Sequence, residues 1–60
     1  MFIELTEAGT DNIICVMISH IIYFMPDVES ENTVIGLSDD VIFVVKESEI
    51  DIRKKILHRS

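Results

Sequence analysis

Residues 33–48 constrain this chain more than any other stretch. Thr33-Val34-Ile35-Gly36-Leu37-Ser38 has the β-branched content of a strand. Asp39-Asp40 reads as a two-residue turn, and Val41-Ile42-Phe43-Val44-Val45-Lys46 as the returning strand. Glu47-Ser48 then leads into a short helix. With Asp39-Asp40 as the loop, Leu37 faces Ile42 and Ile35 faces Val44 on one side of the hairpin. On the other side Gly36 meets Phe43 and Val34 meets Val45, so Phe43 is expected to cover the glycine. Both faces of this hairpin are apolar.

The remaining strands repeat that property. Residues 2–6 open as a strand, with Ile3 and Leu5 on one face and Glu4 and Thr6 on the other. Ala8-Gly9-Thr10-Asp11-Asn12 reads as a hairpin connection. Residues 13–18 form the expected second strand, Ser19-His20 a break, and residues 21–25 the third strand, which Pro26 ends. Ile13, Cys15 and Met17 alternate with Ile14, Val16 and Ile18; Ile21, Tyr23 and Met25 alternate with Ile22 and Phe24. Residues 27–32 form an acidic loop around Val28.

The helix is expected over residues 49–58. Ser48 is a suitable N-cap with Asp51 three positions on, a shortened capping box. Glu49 and Asp51 suit the positive end of the helix dipole, and Lys54, Lys55 and Arg59 the negative end. Ile50, Ile52, Ile56 and Leu57 make the expected buried face. Arg53 interrupts it, with its aliphatic stem expected along the apolar surface.

The fold class that follows is mainly β (α+β): one domain over residues 1–60, a five-strand antiparallel meander and one C-terminal helix. A solvated antiparallel sheet alternates polar and apolar residues, and these strands do not. One short helix covers only part of a five-stranded sheet. Either the sheet curls into a small open barrel, or it packs against another subunit.

Size points to the second solution. A 60-residue domain buries only about 60% of its unfolded surface and is marginal alone. Disulfides, metals or oligomerisation usually make up the difference. Cys15 is the one cysteine, which rules out an internal disulfide and suits a reducing, cytoplasmic setting. A structural zinc site takes four Cys/His ligands, and only Cys15, His20 and His58 are present. A homo-oligomer is therefore expected. Its interface is placed on Val34, Phe43 and Val45 with Tyr23 and Phe24. Another protein partner is the competing expectation.

Hydrophobic content of 48% excludes ordinary disorder. The nearly apolar residues 13–25 would span ~20 Å as a helix, short of a ~30 Å hydrocarbon core, so no membrane span is expected. The start of the chain carries Glu4 and Glu7 and no basic run, which is unlike a signal peptide. Net charge is −6, and it is segregated. Residues 1–45 carry eight acids (Glu4, Glu7, Asp11, Asp27, Glu29, Glu31, Asp39, Asp40) and no Lys or Arg. All five basic residues (Lys46, Arg53, Lys54, Lys55, Arg59) follow. Nucleic-acid binding needs clustered cations on the presenting surface, so Phe2, Tyr23, Phe24 and Phe43 read as core aromatics. The basic cluster suits a helix C-terminus, or an acidic surface such as the body of a neighbouring subunit.

At this point the chain resembles the flagellar FlbD-like family of small β-rich bacterial proteins. The resemblance rests on Ile3-Glu4-Leu5-Thr6, His20-Ile21-Ile22, Pro26-Asp27, Thr33-Val34-Ile35-Gly36-Leu37-Ser38 and Val44-Val45-Lys46-Glu47-Ser48. Three features depart from the family pattern. Residues 28–32 look like an insertion. Asp40 stands at the usual turn glycine, and Glu7-Ala8-Gly9 replaces a basic residue and Asn-Gly. The resemblance implies a strand meander with a C-terminal helix, a regulatory or adaptor role of flagellar type, and no catalytic residue.

The residues themselves carry little chemistry. Cys15 lies mid-strand among Ile and Val, where thiols are usually buried and inert. Ser19 and His20 are neighbours that point apart on a strand, and His20 reads as a turn or edge residue. Asp27, Glu29 and Glu31 alternate in one loop. A calcium loop starting at Asp27 would need Gly at its sixth position and Glu at its twelfth, which are Asn32 and Ser38. Gly9 and Gly36 make no phosphate-cradling loop. No catalytic residue, metal or cofactor is expected.

Overall fold

A computed structural model describes residues 1–58. Arg59, expected near the helix end, lies outside the described residues. The fold is mainly β: five antiparallel strands in two sheets, and one C-terminal helix.

Strands β1 (Phe2–Thr6) and β2 (Ile13–Met17) form the first sheet, with Ile3 opposite Val16 and Leu5 opposite Ile14. Gly9 and Asp11 take positive φ of 95° and 63° in the connection between them. A 3₁₀ turn (Ile18–His20) leads into β3 (Ile21–Pro26). Strands β4 (Thr33–Leu37) and β5 (Ile42–Val45) complete the second sheet in the order β3-β4-β5. The meander therefore divides after β2, and the sheets do not close into a barrel.

The two sheets meet at one corner. Glu7 bridges to Val45, the Ala8 N–H donates to the Val44 carbonyl (2.8 Å), and the Lys46 N–H to the Thr6 carbonyl (2.8 Å). Lys46 also pairs with Asp11 across this corner. Glu47 ties the joint together. Its carboxylate accepts from the Thr6 N–H (2.9 and 3.0 Å) and from the Thr6 hydroxyl (3.0 Å). Its backbone carbonyl accepts from the hydroxyl of buried Thr33 (2.7 Å). One residue thus fixes the end of β1, the start of β4 and the entry to the helix.

The core lies between the sheets and the helix: Ile3, Leu5, Val16, Ile35, Val45 and Ile52. Helix α1 (Glu49–Leu57) starts as expected, with the Ser48 hydroxyl accepting from the Asp51 N–H at 3.1 Å. Its buried seam is narrower than the sequence suggests. Ile52 is fully buried and Ile56 packs against the core, whereas Ile50 and Leu57 are exposed. Both point away because four apolar positions around nine residues wrap more than one helix face. The Arg53 side chain is mostly exposed, and its guanidinium pairs with Glu49 one turn back.

The β4–β5 turn differs from expectation by one residue. The Asp40 N–H donates to the Leu37 carbonyl (3.2 Å) and the Leu37 N–H to the Val41 carbonyl (2.9 Å), with Asp40 at φ 62°. This is a three-residue loop, Ser38-Asp39-Asp40, closed by a left-handed residue. The added residue shifts the register. Ile35 now faces Phe43, Gly36 faces Ile42, Val34 faces Val44 and Thr33 faces Val45. Because side chains alternate along a strand, a one-residue slip exchanges the two faces. Replacing Asp40 with glycine relieves the left-handed backbone at the cost of a looser unfolded chain. The Asp40→Gly variant should gain roughly 0.5 kcal/mol, read as a higher urea midpoint at unchanged slope.

Candidate functional site: an uncovered apolar sheet face

The inner face of the second sheet carries Phe24, Ile35 and Phe43 in one row, with Thr33 and Val45 in the next. Ile35, Thr33 and Val45 are buried, and Phe24 and Phe43 pack against the core. The outer face carries two rows of its own. Met25, Val34 and Val44 lie side by side, and so do Tyr23, Gly36 and Ile42. Ile22 is an extra residue at an irregularity between Ile21 and Tyr23, and it too stands in solvent.

No polar side chain interrupts those two rows. Ile42 is 59% exposed, Met25 50% and Tyr23 40%, with Val34 and Val44 half-buried beside them. The Tyr23 ring lies over Gly36. A Cβ built at Gly36 would sit 2.2 Å from the ring, so only glycine permits this close approach. Between Tyr23, Gly36, Val41 and Ile42 the surface dips into an open depression of about 290 Å³, with Asp40 among its lining residues. The face ends in acidic loops: Asp39 and Asp40 at one end, Asp27, Glu29 and Glu31 at the other. Within the second loop, Asp27 spends its carboxylate on the Glu29 N–H (3.1 Å) and the Ser30 hydroxyl (3.0 Å).

The five residues expected at an interface divide between the faces. Tyr23 and Val34 are on the uncovered side. Phe24, Phe43 and Val45 are on the core side, and Val45 is completely buried, so these three are corrected from interface to core. The shifted turn accounts for Phe43 and Val45. Phe24 follows from strand alternation, since it neighbours Tyr23. The residues that take their place are Met25, Ile42 and Val44. The cover expected over Gly36 also changes hands, from Phe43 to Tyr23.

A second uncovered strip lies on the first sheet, where Phe2 faces Met17 and Glu4 faces Cys15. Cys15 is exposed there rather than buried, because Val16 is the residue that turns inward. His20 sits exposed in the 3₁₀ turn. Among the described residues, no group of three or more His, Cys, Asp or Glu could hold a metal ion. No helix among them is long and apolar enough to cross a membrane.

The fold and this face define a class: a small β-rich domain, with a C-terminal helix, that leaves the outer face of its three-stranded sheet without a cover. Comparison with protein-family models, curated proteins and solved structures finds no match to the chain.

Proposed function

We propose that this chain is a non-catalytic protein–protein interaction module that self-associates through the outer face of β3-β4-β5. The observation that carries this reading is the pair of apolar rows, Met25–Val34–Val44 and Tyr23–Gly36–Ile42, lying open on a domain with so small a core. Contiguous exposed apolar surface of several hundred Å² is uncommon on a monomer and marks interaction sites. The proposed setting is cytoplasmic, supported by a single exposed thiol without a disulfide partner. The second reading is an adaptor of the flagellar type that offers the same face to a different protein. Its support is the set of motif residues quoted above, His20-Ile21-Ile22 and Val44-Val45-Lys46-Glu47-Ser48 among them.

Tyr23 is the only tyrosine, the chain has no tryptophan, and the ring lies on the face in question. Its fluorescence therefore reports the cover directly. Acrylamide quenching of Tyr23 should weaken as protein concentration rises through the association range. Quenching that stays constant with concentration would overturn self-association and leave the adaptor reading.

A further inference from the structure

Helix α1 has a second seam. Residues 50, 53, 54 and 57 follow the i, i+3, i+4, i+7 spacing of a single helix face. Ile50 is 58% and Leu57 67% exposed, on the side away from buried Ile52. Arg53 and Lys54 stand between them, both exposed. Among the described residues, Lys54 and Lys55 make no salt bridge. An exposed apolar pair flanked by cations is the complement of an apolar sheet face that ends in acids.

We propose that the occupant of the outer sheet face is the α1 helix of a second copy of this chain. The inference rests on the self-association reading above and specifies which surface of the partner makes the contact. Ile50 and Leu57 are about 10 Å apart along a helix, close to the ~10 Å width of three strands, so both reach the face when the helix crosses it. Leu57 seats in the depression lined by Ile22, Tyr23, Val41 and Ile42, and Arg53 and Lys54 meet the acidic ends of the face. Charge selects this arrangement over a face-to-face one. Packing two copies of the sheet face together sets acidic loop against acidic loop, and Lys46 at the end of β5 is already paired with Asp11. Packing the helix of one copy on the sheet of another pairs the two halves of a segregated charge distribution. Such a contact joins unlike surfaces, so it closes reciprocally as a dimer or repeats head to tail.

Mixing experiments test this. Ile42→Glu disables the sheet face and leaves the helix seam. Ile50→Ser with Leu57→Ser disables the seam and leaves the sheet face. Each variant alone should sediment as a monomer, and an equimolar mixture should recover a 1:1 complex, because each supplies the surface the other lacks. The recovered complex also shows that both variants are folded. Lys54→Glu, which leaves every apolar side chain in place, should weaken wild-type association about tenfold. If the helix double variant associates as wild type while Ile42→Glu does not, the helix is not the occupant and the sheet interface stands. If Ile42→Glu associates as wild type, the sheet interface itself falls.

Discussion

Ile35→Ala should abolish cooperative folding or come close to it. Ile35 is fully buried at the centre of the inner row, flanked by Phe24 on one strand and Phe43 on the other. Replacing a buried isoleucine with alanine costs about 2–5 kcal/mol, the lost transfer energy plus the cavity left behind. A domain of this length has roughly 3–9 kcal/mol of stability in all. The neighbouring Val34→Ala removes apolar bulk from the outer face and should cost about 0.5 kcal/mol. Urea unfolding followed by far-ultraviolet circular dichroism, in dilute solution where association contributes least, separates the two. The reverse order would mean that the sheet is paired one residue out of the described register.

Glu47→Ala should be the most damaging substitution of a polar side chain. The Glu47 carboxylate takes two donors from Thr6, its backbone N–H and its hydroxyl. A hydrogen bond to a charged group contributes about 1.5–3 kcal/mol, so losing this set should cost roughly 2–4 kcal/mol. Glu47→Gln keeps an acceptor and should lose about half of that. Thr33→Val, which preserves shape and strands the Glu47 carbonyl, should cost about 1–2 kcal/mol. Amide exchange places the damage. The Thr6 N–H should exchange much faster in Glu47→Ala, while the Phe24 and Ile35 amides follow global stability. An unchanged Thr6 amide would show that the carboxylate does not hold the corner.

These expectations separate what the sequence announces from what it hides. Strand and helix positions were legible because each has a local signal: β-branched runs, Pro26 at the end of β3, Ser48 ahead of acidic Glu49 and Asp51. The face assignment was not, because it depends on the length of one turn. Asp39-Asp40 looks like a two-residue hairpin loop, yet such loops need positive φ at one or both central positions, which glycine and asparagine supply most readily. Two aspartates suit that geometry poorly. The chain uses Ser38 as well and places Asp40 alone in the left-handed region. That single residue moved Phe43 and Val45 into the core and brought Ile42 and Val44 to the surface. The irregularity at Ile22 has no sequence mark at all, since it sits within an unbroken apolar run. Both faces of the hairpin are apolar, so whichever one turns inward, the other is left open.

Sedimentation equilibrium tests the central claim most directly. The wild-type chain should sediment at a multiple of its 6.9 kDa protomer mass, with the multiple lost on dilution. Ile42→Glu, with a native circular dichroism spectrum, should sediment at 6.9 kDa across the same concentrations. A wild-type chain that remains a 6.9 kDa monomer at every concentration would contradict self-association through this face.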